Sequence, residues 1–146
     1  MIFSDTERDY LTEHSLGRLA TLSPDGSPQV QPVALWFDAT AETLHLGGPA
    51  LVKSRKYRNV QGDPRVSYVL DDQSEIPNAL GQTGRGIEIR GIAEIVFLDP
   101  PLHPEFDHET LRIRPLRVIS WNLEPVDPAA SGPLAHLQGY HARDIT

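Results

Sequence analysis

The chain has 146 residues, 39% hydrophobic and 23% charged, a size and balance that suit one domain, 1–146, with a packed core. Its formal net charge of -7 opposes general nucleic-acid binding, which needs a broad basic surface. The absence of cysteine excludes disulfides, thiol catalysis and cysteine-ligated zinc together, and no run of residues has the character of a signal peptide or the length of a bilayer span, so a soluble, cytoplasmic protein is expected.

Ser4-Asp5-Thr6-Glu7 fits a capping box and predicts a first helix, with Tyr10 and Leu11 as its apolar face. Arg18 to Leu22 alternates as a strand does, Ser23-Pro24-Asp25-Gly26 is a turn, and Gln29 to Phe37 is a second strand, giving a hairpin. Pro32 lies inside that second strand. Proline has no N–H for a ladder, so it marks an edge, a bulge or a place where a ligand approaches the backbone.

Thr43 to Leu46 alternates again and ends at Gly47-Gly48-Pro49. Leu51 to Gln61 reads as one helix stopped by Gly62-Asp63-Pro64, and Arg65 to Leu70 as a strand. Asp71 to Arg85 reads as a long polar loop, Gly86 to Leu98 as a strand bent at Gly91, and Pro104 to Glu109 as a short helix. Leu111 to Leu123 is a last strand interrupted at Pro115, and the tail, 124–146, is partly extended. Six strands joined mostly by turns predict a mainly β (α+β) fold, a six-stranded antiparallel barrel with attached short helices.

Both lysines of the chain, Lys53 and Lys56, fall with Arg55 and Arg58 inside six positions. Such a cluster in an anionic chain reads either as a site for a phosphate or carboxylate or as a solvated basic face. On a single helix Lys53 and Lys56 would share one face. Positive charge in the first turns opposes the helix macrodipole, and a bound anion would reverse that cost; Ser54 would add a hydroxyl donor.

The wider pattern resembles one branch of the pyridoxamine 5'-phosphate oxidase-like, FMN-binding-split-barrel-like proteins, the branch that uses the deazaflavin coenzyme F420. The resemblance is carried, in order, by Gly47-Gly48, Lys53-Ser54-Arg55-Lys56-Tyr57-Arg58-Asn59-Val60, Asp63-Pro64-Arg65-Val66, Asp71-Asp72, Arg85 to Gly91, Arg112-Ile113-Arg114-Pro115, Ser120-Trp121-Asn122 and Gly139 to Asp144. It implies a split barrel that forms a homodimer with its cofactor at the interface. Carried over by position, Lys53, Ser54, Arg55 and Lys56 would hold the cofactor phosphate, and Arg58 and Asn59 would support that end. Gln31, Pro32 and Val33 would meet the ring system, and Trp121 would close the site, from this chain or its partner.

The implied activity is hydride transfer from F420 to an activated C=C or C=N bond of a small conjugated substrate. FMN-dependent oxidoreduction and non-catalytic flavin or F420 binding are the alternatives. The tail Asp127–Thr146 differs from the substrate-binding segment of true pyridoxamine phosphate oxidases, so oxidation of a vitamin B6 phosphate is not expected.

No residue is singled out as a catalytic acid or base. His103 and His108 lack zinc-ligand spacing, so no metal is expected, and Ser120 has no His–acid partner pattern for a hydrolase. Trp36 and Trp121 read first as core or interface aromatics, and Asp71-Asp72 as solvated acids.

Overall fold

The computed structural model describes residues 1–130 and 132–146. Helix α1 (Asp5–Glu13) begins as its capping box dictates, with the Ser4 side chain accepting from Glu7 N–H and the Glu7 carboxylate accepting from Ser4 N–H. Strands β1 (Leu16–Leu22) and β2 (Pro28–Asp38) form the expected hairpin, closed by Gly26 at φ +83°, a conformation glycine adopts without a Cβ penalty. Strand β3 (Thr43–Leu46), a single 3₁₀ turn (Leu51–Lys53), helix α2 (Arg55–Gly62) and strands β4 (Arg65–Gln73), β5 (Gly84–Phe97) and β6 (Glu109–Trp121) follow. A second 3₁₀ turn (Ala135–Leu137) and strand β7 (Tyr140–Asp144) complete the chain.

The sheet runs β3-β2-β1-β4-β5-β6-β7, all pairs antiparallel, and an additional β3–β6 pairing closes the first six strands into a barrel. The barrel is split because β6 pairs β3 only over Leu111–Ile113, and β2 pairs β3 only over Leu35–Asp38. Alternate residues fill the interior: Leu44, Leu46, Tyr68, Ile87, Ile89, Leu111 and Val118 are essentially inaccessible. Helix α1 plugs one end with Phe3, Tyr10 and Leu11, and α2 packs across the other through Tyr57 and Val60.

Four local expectations are corrected. The segment read as one helix breaks at Ser54, whose extended backbone (ψ 157°) ends the 3₁₀ turn and caps α2, so Lys53 and Lys56 do not share a helix face. The long loop shrinks to residues 74–83, because Asp71 and Asp72 continue β4 as paired strand residues. Pro104 to Glu109 forms no helix: a lone turn bonds Phe106 N–H to His103 C=O, and the His103 ring accepts from Glu105 N–H. Pro115 does not interrupt β6, because the register shift at Arg90/Gly91 absorbs it. Gly91 is required there, since a Cβ would collide with the Arg114 carbonyl. The tail also holds a seventh strand, β7, beyond the extended chain expected of it.

Buried Tyr68 wedges the β1–β2 ladder. Gly17 N–H donates to the Tyr68 hydroxyl (2.9 Å), which donates to Val33 C=O (2.6 Å). A Cβ on Gly17 would lie 2.7 Å from that hydroxyl oxygen, so glycine is needed for the close approach. Among the described residues, no helix is long and apolar enough to cross a membrane.

Candidate functional site

Between the 3₁₀ turn and the body of α2 the chain sets out four cations in sequence. Ser54 does not present a free donor to them: its hydroxyl donates to Leu51 C=O (2.6 Å) and accepts from Tyr57 N–H (3.3 Å), so it fixes the start of the helix. Asn59 turns inward, 3% exposed, and its carboxamide donates to Thr21 Oγ1 (3.0 Å) and Gln29 Oε1 (2.7 Å). It therefore ties α2 to β1 and β2. Arg58 Nη1 donates to Lys53 C=O (2.9 Å), bridging the break between the two helical pieces.

Lys53, Arg55, Lys56 and Arg58 form no ion pair among the described residues. The chain's nine other cationic side chains all do: Arg8, Arg18, Arg65, Arg85, Arg90, Arg112, Arg114, Arg117 and Arg143 each meet an Asp or Glu within the fold. The chain holds 20 acids against 13 bases, so scarcity of carboxylates is not the reason. No acid occupies the first turn of α2, where the macrodipole would favour one.

Arg55 and Lys56 face a narrow cleft whose other wall is Leu19, Thr21, Gln29 and Gln31 of the β1–β2 hairpin. The fold thus brings Gln31 to the basic cluster. Pro32 and Val33 follow on the same strand, Pro32 exposed and Val33 buried. Leu19, Thr21 and Gln29 were not singled out from sequence; the signal was their alternation with Gln31 once β1 and β2 pair as Thr21↔Gln29 and Leu19↔Gln31. Trp121 is not brought here within one chain. It pairs with Gly86 and Tyr140 towards the α1 end of the barrel.

The cleft itself encloses only about 10 Å³, far below the few hundred a ring-bearing ligand occupies. Two larger hollows adjoin it. A polar one of about 600 Å³ lies between the turn Ser23–Gly26 and Arg58, Asn59 and Arg65, so the cations track from cleft to hollow. An apolar one of about 390 Å³ lies on the outer barrel wall among Ala20, Leu22, Pro28, Ile92 and Leu116. That wall continues to Leu16 and Val30, 59% and 65% exposed, and its charges are internally matched as Arg18–Asp71 and Glu88–Arg90. The apolar hollow is thus flanked by exposed aliphatic side chains, and the cleft by unpaired cations.

The other end of the barrel contrasts with this one. Burial pushes the Glu7 carboxyl up, but the Arg143 guanidinium and the Ser4 N–H outweigh it and the net shift is downward. Arg143 contacts Glu7 at 2.6 Å and 3.1 Å, clasping β7 to α1. The Arg85 guanidinium holds Asp72 down to about 2, against the smaller upward push of burial, with the Tyr10 hydroxyl also donating to Asp72 at 2.7 Å. Burial first, and the Asp72 carboxylate second, push the Tyr10 phenol well above its ordinary range.

The chain matches the family model described as pyridoxamine 5'-phosphate oxidase over residues 3–122. It belongs to that family. A curated relative, the 5a,11a-dehydrotetracycline/5a,11a-dehydrooxytetracycline reductase of Streptomyces rimosus, is 34% identical over all of this chain and 95% of its own length. Among solved structures, a conserved hypothetical protein of Mycobacterium tuberculosis superposes with a TM-score of 0.65 at 24% identity, covering 91% of this chain and 95% of that one. A structure named F420 reductase superposes with a TM-score of 0.52 at 25% identity, covering 75% of this chain and 90% of its own.

Proposed function

We propose that this protein is a homodimeric F420-dependent reductase whose coenzyme lies along the free part of β2, with its phosphate at Lys53, Arg55 and Lys56. The observation that carries the reading is that these cations and Arg58 form no ion pair among the described residues, whereas every other Lys or Arg side chain does. The donor set fits such a coenzyme: guanidinium and ammonium groups suit phosphate oxygens, and Gln31 adds a carboxamide beside them. Bound reduced, a deazaflavin supplies a hydride to an activated C=C or C=N bond, and a proton completes the reduction.

The work left to the chain is to bind, orient and exclude water. Asn59 holds α2 against the β1–β2 hairpin and so fixes the spacing between cations and strand edge. Tyr68 holds Val33 from behind. The shallowness of the cleft and the apolar outer wall next to it support a second copy as the missing wall, since a copy seated on Leu16, Val30 and Leu116 would stand beside the open edge. Trp121 is then proposed to act from the partner's side, because its own cleft lies towards the other end of the barrel.

F420 is favoured over FMN because the cations form a track rather than a closed pocket: Arg55 and Lys56 line the cleft, while Arg58 faces the polar hollow. An extended anionic tail uses such a track; a compact phosphate monoester does not. The relative that reduces a dehydrotetracycline supports a conjugated, unsaturated substrate. The test is turnover: reduced F420 incubated with the protein and a panel of conjugated C=C and C=N acceptors. Acceptor-dependent oxidation of the coenzyme is expected. Tight F420 binding without turnover across the panel would instead mark a carrier, and yellow, flavin-loaded protein that ignores F420 would mark an FMN enzyme.

A further inference from the structure

We propose that Pro32 is a specificity-determining residue: by deleting an N–H from the open edge of β2, it favours a ring with carbon at its central reactive position over one with a hydrogen-bond-accepting nitrogen there. The inference deepens the reading above and rests on it.

The direction of the missing donor follows from the ladder. In an antiparallel pair, residues alternate between those that bond across to the partner and those that point away. Ser23 N–H donates to Ser27 C=O (2.9 Å), and Leu35 N–H donates to Ser15 C=O (2.6 Å). Val33 C=O faces Gly17 through the Tyr68 hydroxyl. These contacts assign the odd-numbered residues of this stretch of β2 to β1. Val30 and Pro32, opposite Ala20 and Arg18, therefore point their backbone groups the other way.

On that side no strand covers them among the described residues, because β3 pairs with β2 only from Leu35 onward. The free edge offers the N–H and C=O of Val30 and the C=O of Pro32. Any residue other than proline at position 32 would add a second donor next to Gln31 and the cations. Oxidised flavin carries at its reactive position a nitrogen with an in-plane lone pair, which would be left without a partner against this edge. Deazaflavin carries C–H there and loses nothing. An unpaired acceptor in a water-excluded site lowers affinity roughly tenfold.

Proline on an edge also blocks strand-to-strand association, and that explanation competes. The experiment compares FMN with 5-deaza-FMN, which share the phosphate and differ at the one ring atom, on wild type, Pro32→Ala and Pro32→Val. Dissociation constants come from fluorescence titration; F420 is titrated in parallel, and size-exclusion and thermal melts accompany each variant. On wild type, 5-deaza-FMN should bind roughly tenfold tighter than FMN. The gap should close or reverse in the variants that regain the N–H, because the restored donor meets the flavin nitrogen but is left unpaired against the C–H of 5-deaza-FMN and of F420. F420 binding should therefore weaken in parallel with 5-deaza-FMN.

Equal affinity of the two ring analogues for wild type overturns the proposal without requiring any variant to fold. A gap that persists in folded variants overturns it too, as do variants that assemble into larger species with the gap unchanged, which would assign Pro32 to edge protection. Wild type that binds F420 with no ring discrimination sinks this inference alone. Wild type that binds none of the three sinks the functional reading with it.

Discussion

At the α1 end of the barrel Arg8, Arg85 and Arg143 each meet a carboxylate; at the α2 end Lys53, Arg55, Lys56 and Arg58 meet none among the described residues. Both ends are capped by a short helix with a serine N-cap, and both lie in an acid-rich chain. At the α1 end the charges serve the fold: Glu7 is 1% exposed, and its pairing with Arg143 joins the first helix to the last strand. At the α2 end the charges oppose it, since Arg55 and Arg58 repel at i,i+3 spacing and cations in a first turn face the wrong pole of the macrodipole. The α2 end thus keeps like charges together against local stability, beside an open strand edge.

Substitutions at the two ends should therefore separate stability from binding. The largest stability loss is expected for Arg143→Ala, which strands a buried carboxylate. About 3 kcal/mol should be lost, a fall in melting temperature on the order of 10 °C, with F420 binding retained by the folded fraction. An unchanged melt would break the contrast at its stable end. Asn59→Ala comes next. It removes two hydrogen bonds, one to buried Thr21, and should destabilise by roughly 2 kcal/mol in urea titrations. Because Asn59 sets the spacing of α2, coenzyme affinity should fall alongside, the one variant in which both properties move.

Ser54→Ala should be smaller, about 1 kcal/mol for a lost N-cap. A much larger loss of binding than of stability there would show that the hydroxyl, despite its two internal bonds, also serves the ligand. The mildest change is with acid. Asp72 is held at about 2, below its ordinary 3.8, so the stability it contributes is complete above pH 4 and is lost as pH falls towards 2. Glu7, also lowered, acts in the same direction. Asp72→Asn should flatten the acid limb of a melting-temperature profile, whereas Lys56→Ala should leave that limb unchanged.

What the sequence reveals follows the range of the interactions involved. The capping box of α1, the Ser23–Gly26 turn and the alternation of β1, β2 and β3 are local, and the six-stranded barrel follows from them. The cluster at 53–58 is equally visible as composition. Its unpaired state is not, because which arginine finds which carboxylate depends on partners as distant as Glu7 and Arg143. The break at Ser54 was hidden because serine is tolerated within a helix and caps one equally well. The tail's β7 was hidden because its residues carry little apolar alternation; only pairing along Arg117–Trp121 makes them a strand. Pro32 could be read as an oddity, but its direction needed the register.

Unpaired cations, and not cations in general, are proposed to hold the coenzyme. F420 titrated by fluorescence into wild type, Lys56→Ala and Arg114→Ala measures this directly, since Arg114 is a cation already paired with Glu94. Lys56→Ala should weaken binding by about 1.5–3 kcal/mol, roughly ten- to a hundredfold, while Arg114→Ala leaves it unchanged. Equal losses in both variants, or no F420 binding by the wild-type protein, would contradict it.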